Sequence, residues 1–123
     1  MSISDKLIGH PKYKKINTLS ISTGVVTVDL SLISNKYYLF LSSPVTSWVF
    51  TNLPPTNHVC DIEIIVEQDP VTANSCVTPA GNVGDITFGG SWSASMVLGV
   101  VELLGAQIYD DGVVFLIPSG PGA

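Results

Sequence analysis

The chain has 123 residues, the size of one domain and enough to close a single hydrophobic core, so no second domain is expected. Hydrophobic residues make up 46% of it and charged residues only 12%, about half the usual charged share; the exterior must rely on Ser, Thr, Asn, Gly and apolar groups, which favours association with a partner or with further copies. All five basic residues are Lys; without Arg there is no bidentate reader of phosphates or bases, so nucleic acid is excluded as the expected partner.

Apolar runs fall short of the ~20 residues a membrane helix needs. Glu102 interrupts the longest, residues 96–104. The N-terminus lacks the charged-then-apolar layout of a signal peptide, so no membrane partner and assembly in a cytosol are expected.

Residues 1–15 hold Lys6, Lys12, Lys14 and Lys15 against Asp5 alone, a charge of +3. The remaining residues hold Lys36 against nine acids, a charge of −8. With His10-Pro11 and little apolar periodicity, residues 1–15 read as an extended N-terminal arm whose lysines are the candidate partner-binding residues.

From Ile16 the pattern has period two. Val26, Val28, Leu30 and Leu32 alternate with Thr27, Asp29 and Ser31, as a half-buried strand requires. Ser34-Asn35-Lys36 turns the chain into Tyr37-Tyr38-Leu39-Phe40-Leu41, and Thr46-Ser47-Trp48-Val49-Phe50-Thr51 reads as the next strand, ended by Pro54-Pro55. In residues 59–67, Cys60, Ile62, Ile64 and Val66 face one way, with Asp61, Glu63 and Glu67 opposite and Ile65 as the exception. A turn over residues 69–74 then brings back residues 75–78 as a short partner strand with Cys76 opposite about Glu67, far from Cys60. No disulfide is therefore expected, and both cysteines read as small apolar residues.

Four glycines, Gly81, Gly84, Gly89 and Gly90, mark a loop-rich segment with one short strand at residues 85–88. Residues 96–104 and 106–109 follow as a strand with a bulge at Gly105, helix remaining open. Asp110-Asp111-Gly112 supplies a hairpin turn into Val113-Val114-Phe115-Leu116-Ile117, and residues 118–123 read as an unpacked tail. Strands at roughly ten-residue intervals predict an all-β protein: a jelly-roll-like β-sandwich of about seven to nine antiparallel strands over residues 16–117.

Candidate chemistry is sparse. Asp61 and Glu63 lie roughly 6.5–7 Å apart along one strand, near the spacing of an inverting glycosidase pair, but a solvated strand face explains them more simply. Asp110 and Asp111 are accounted for by their turn. His10 and His58 lie far apart and belong to no nucleophile motif, no serine sits in a Gly-x-Ser-x-Gly elbow, and the glycine clusters lack the lysine of a phosphate loop. No enzyme activity, metal or cofactor is expected. Trp48, Tyr37 and Tyr38 belong in strands, as core or interface residues, whereas Trp92, in Gly90-Ser91-Trp92-Ser93, is the candidate exposed aromatic for stacking on a sugar.

Several segments in order, Val26-Thr27-Val28-Asp29-Leu30-Ser31-Leu32, Tyr38-Leu39-Phe40-Leu41, Ile62-Glu63-Ile64-Ile65-Val66-Glu67-Gln68-Asp69, Val77-Thr78-Pro79-Ala80 and Tyr109-Asp110-Asp111-Gly112 before Val113-Val114-Phe115, resemble the β-sandwich domain at the ends of bacteriophage tail-fibre proteins and in related virion surface proteins. The resemblance covers about residues 24–117. It departs from the family at Thr78, where a tryptophan is usual, and in residues 81–90, where a basic, tryptophan-rich loop is usual. It implies a structural or binding module of a virion. With only about 23 residues before the sandwich, the chain is more similar to a capsid decoration, or cement, protein, a trimer on the major capsid protein; the alternative is a tail-fibre or tail-tip module that binds a host-surface glycan.

Overall fold

The computed structural model describes residues 13–79, 85–87 and 94–119. They form nine strands and no helix: β1 (Ile16–Thr18), β2 (Ile21–Ser22), β3 (Val25–Asp29), β4 (Lys36–Leu41), β5 (Ser47–Thr51), β6 (Val59–Gln68), β7 (Asp85–Thr87), β8 (Val101–Tyr109) and β9 (Val114–Ser119). One sheet has six strands in the order β1-β4-β6-β8-β9-β7, the other three in the order β2-β3-β5. No helix among the described residues is long and apolar enough to cross a membrane.

Alternation determines which side chains meet between the sheets. Val26, Val28, Trp48 and Phe50 from the smaller sheet join Tyr37, Leu39, Leu41, Ile62, Ile64, Val66, Leu104, Ala106, Ile108, Val114 and Leu116 from the larger in one buried core. Each fully buried large side chain stabilises the fold by ~1.5–3 kcal/mol relative to exposure. The Tyr37 hydroxyl crosses the gap to donate to the Asp29 carbonyl at 2.6 Å, so the buried phenol keeps its hydrogen bond.

The pairing is mixed, which corrects the expected antiparallel arrangement. β1 runs parallel to β4, β4 to β6, β3 to β5 and β7 to β9; only β2 with β3, β6 with β8 and β8 with β9 are antiparallel. The cause lies in the connections. From β3 to β6 each strand hands the chain to the opposite sheet, so strands two apart in sequence become neighbours pointing the same way. Alternation identifies a strand's buried face but not the edge it pairs along.

Three further expectations change. Residues 75–78 do not return as a hairpin partner of β6: Cys76 forms an isolated parallel bridge with Val45, Val45 N–H donating to Ser75 O at 2.9 Å and Val77 N–H to Val45 O at 3.1 Å. β8 begins at Val101, after a turn at residues 97–100, and passes through Gly105 without a bulge, because Gly105 is paired with Glu63 on one side and Ile117 on the other. β9 runs on through Pro118 and Ser119, opposite Leu104 and Leu103, rather than stopping at residue 117. Among the described residues, β7 flanks β9 only at residues 114–116.

Two tight turns need glycine. Thr23 and Gly24, with φ of 51° and 78°, form the two-residue connection of the β2–β3 hairpin, in which both central residues need positive φ. A Cβ on Gly24 would lie 2.6 Å from Thr46 Oγ1. Gly112, with φ of 88°, closes the β8–β9 hairpin as the sequence predicts.

Candidate interaction surfaces

Of the four N-terminal lysines, Lys14 and Lys15 are described and exposed, immediately before β1; Lys6 and Lys12 lie outside the described residues. β1 starts opposite Lys36, and Asn17 Nδ2 donates to Ser34 O at 2.9 Å, which ties β1 to the loop that precedes β4. That loop carries Leu32, 45% exposed, and Ile33, 94% exposed, while Tyr13 and Ile16 are 61% and 53% exposed. Lysines and uncovered apolar side chains therefore share one end of the domain.

The opposite end is apolar and, among the described residues, carries no cation. Gly99 N–H donates to Asp69 O at 3.3 Å and Gln68 N–H to Val100 O at 2.8 Å, joining the loops at residues 69–74 and 95–100. Together they expose Val71, Met96, Val97 and Leu98. A buried polar network holds them in place: Gln68 Nε2 donates to Asn74 O and Ser95 O, both at 2.9 Å, while Gln68 Oε1 accepts from Asp69 N–H and Asn74 N–H. Asn74 Nδ2 donates to Leu41 O at 2.8 Å, and the buried Glu102 carboxylate accepts the Ser95 N–H. No buried side-chain nitrogen or oxygen among the described residues lacks a partner.

The two outer sheet faces differ. On the smaller sheet, Thr27, Asp29, Ser47 and Thr51 point outward with Val25 and Val49, an ordinary solvated face. On the larger sheet, Tyr38, Ile65 and Leu103 lie side by side on β4, β6 and β8, next to the row of Phe40, Glu67 and Val101. Of the four charges on this face of β4 and β6, Asp61 is exposed and the other three are met internally. Lys36 pairs with Glu63, and the Tyr38 hydroxyl donates to Glu67 Oε1 at 2.8 Å; burial and then this bond push the Tyr38 phenol above its ordinary pKa.

The residues singled out for chemistry do not converge. Asp61 is exposed, and Glu63 beside it is engaged by Lys36. Asp110 Oδ2 accepts Asn57 N–H at 2.5 Å and Asp111 Oδ1 accepts Val113 N–H at 3.1 Å, so both serve turns. Among the described residues no group of three or more His, Cys, Asp or Glu could hold a metal ion. His58 is exposed, with Nδ1 2.9 Å from Thr56 O; His10 and Trp92 lie outside the described residues. Asp29 Oδ1 accepts from Ser31 Oγ at 2.7 Å, Asn52 Nδ2 at 2.8 Å and Ser31 N–H at 2.9 Å, and these bonds hold its carboxyl below the ordinary carboxylate pKa.

Both cysteines are free thiols. Burial pushes Cys76 up to about 12, which leaves it protonated and unreactive at neutral pH. Trp48 and Tyr37 are core residues, whereas Tyr38 lies on the larger sheet's outer face. Sequence reasoning missed the apolar tip, because Met96, Val97 and Leu98 read as part of a strand. The available signal was Leu98-Gly99: Gly99 has φ of 72° and ends the apolar run in a turn. No family model, curated protein or solved structure matches this chain.

Proposed function

We propose that this chain is a structural protein of a bacteriophage virion, a capsid decoration (cement) protein that sits as a trimer on the outer capsid surface and stabilises it. The reading rests first on the ordered resemblance of residues 24–117 to virion surface domains, and on a composition too poor in charge for an ordinary solitary surface.

One observation carries the docking part. Lys14 and Lys15 stand exposed at the root of a lysine-rich arm, beside the exposed Ile16, Leu32 and Ile33. An extended basic segment cannot fold alone; it gains order by following an acidic groove or adding to a sheet edge on a neighbour, while apolar side chains at its root are withdrawn from water in the same step. The partner that fits is the major capsid protein, presenting an acidic groove with apolar ground beside it. The work is done by binding, with no catalytic step.

Removal of residues 1–12 together with Lys14→Ser and Lys15→Ser should release the protein from purified capsids while far-UV circular dichroism stays that of the full chain. Capsids stripped of the protein should lose heat resistance. Undiminished particle binding by the truncated variant overturns the reading.

A further inference from the structure

At the end of the domain opposite Lys14 and Lys15, the loops at residues 69–74 and 95–100 carry Val71, Met96, Val97 and Leu98, each more than half exposed. Both loops extend past Glu67 and Val101, the last pair of the β6–β8 ladder, so the four side chains project from the end of the sheet. Large aliphatic groups gathered in water mark a place where an apolar medium is met. Asp69 is the only charged residue of the two loops, and its carboxylate is turned onto the backbone, Oδ1 accepting Val71 N–H at 2.7 Å and Thr72 N–H at 3.2 Å. We infer that this tip enters the hydrocarbon boundary of a lipid bilayer, withdrawing Val71, Met96, Val97 and Leu98 into one leaflet. The shortness of the chain's apolar runs bears on spanning helices, whereas a loop enters a leaflet with a few side chains.

Three observations select lipid over a protein partner. The first is size. Four side chains are far fewer than the ~20–30 residues a side of a standard protein interface, but partition into a bilayer needs no matching surface and grows with the apolar area withdrawn from water. The second is charge. With Asp69 bonded to its own turn and no lysine in either loop, the tip calls for neither a cationic nor an anionic partner. The third is the backbone. An N–H carried to the edge of the hydrocarbon loses water and must be paired within the protein. Besides the two N–H groups on Asp69, Val97 N–H donates to Ser95 Oγ at 3.2 Å, and Gly99 N–H to Asp69 O and Val100 N–H to Val97 O, both at 3.3 Å; Pro70 has no N–H to pair. Gln68 and Asn74, buried beneath, hold the loops in this shape before any contact, so insertion costs little further ordering.

The inference goes beyond the proposed function and is tested on isolated protein without particles. Mixed with vesicles of phosphatidylcholine alone, the full chain should float with the lipid in a density gradient, to the same extent at about 0.05 M and about 0.5 M salt, because screening acts on charges and not on apolar burial. Val71→Asp and Leu98→Asp should each weaken the partition at least ~10-fold and leave the circular dichroism unchanged; if either fails to fold, Val71→Ser and Leu98→Ser replace them. Lys14→Ser with Lys15→Ser should leave flotation as it is. A nitroxide on the acyl chains should broaden the methyl signals of Val71, Met96 and Leu98 and spare that of Ile65, in the middle of the larger sheet.

Three results overturn the inference: no flotation with phosphatidylcholine or flotation only with anionic lipid, flotation unchanged by all tip variants, or an oligomer in lipid-free sedimentation that the tip variants dissociate, which would make the occupant a second copy. A chain that floats yet ignores capsids refutes the proposed function and leaves the inference standing; a chain that binds capsids without floating does the reverse.

Discussion

Gln68 and Asn74 hold each other by a reciprocal pair of hydrogen bonds, Gln68 Nε2 donating to Asn74 O and Asn74 N–H donating to Gln68 Oε1, both at 2.9 Å. Gln68 is 1% exposed, and its four bonds satisfy backbone groups of two loops at once. Gln68→Leu keeps the volume but leaves buried donors and acceptors unpaired, at ~1–3 kcal/mol each. Urea unfolding should therefore register a loss of about 3 kcal/mol, with hydrogen exchange accelerated first at residues 69–74 and 95–100.

Tyr37→Phe removes only the hydroxyl that bridges the two sheets to the Asp29 carbonyl. The expected loss is about 1–2 kcal/mol, with a domain that still folds. A stability unchanged within ~0.3 kcal/mol would show that water replaces the hydroxyl at that carbonyl.

Gly24→Ala combines a strained positive φ with a Cβ placed 2.6 Å from Thr46 Oγ1. Thr46 N–H also donates to Gly24 O at 2.8 Å, so Thr46 cannot move away without breaking that bond. Thermal unfolding should show a cost of about 1–3 kcal/mol. Thr46→Ala in the same chain should recover part of it by removing the clash.

Cys76 gives the pH dependence. Burial raises its pKa in the folded state to about 12 from an ordinary 9.0, so at any pH between these values the unfolded chain holds fewer protons than the folded one, and stability falls as pH rises through that window. Below pH 9 the thiol is protonated in both states and contributes no slope. Cys76→Ala should flatten the alkaline limb of the stability curve. In a disulfide-exchange assay at pH 8, native protein should expose Cys76 to reagent only at the rate of unfolding.

What the sequence disclosed follows from the kind of information each feature needs. β6 was legible because Cys60, Ile62, Ile64 and Val66 alternate with polar neighbours, and the β8–β9 hairpin because Gly112 sits where the turn needs positive φ. The parallel register of Lys36 with Glu63 was not, because it depends on two crossings between sheets that leave no local mark. Gln68 likewise read as one more turn residue after β6; its burial depends on Asn74 and Ser95, which reach it only through the fold. Lys14 and Lys15 were found from composition alone, but exposed Leu32 near them was hidden, because it continues the alternation of Val26, Val28 and Leu30 past Asp29, where the strand ends.

The hand-over of the chain from sheet to sheet also sets the order in which the protein can be made. β6, central in its sheet, has β4 on one side, but its long antiparallel partner is β8, so that Ile64 waits for Leu104 and Val59 for Tyr109. A ribosome delivering residues at ~5–20 per second releases the first half of the sandwich seconds before the strand that closes the larger sheet, with one edge of β6 unpaired meanwhile. Closure of the larger sheet thus waits for residues 101–109, and a chain stalled before them should aggregate more readily than one that has passed them.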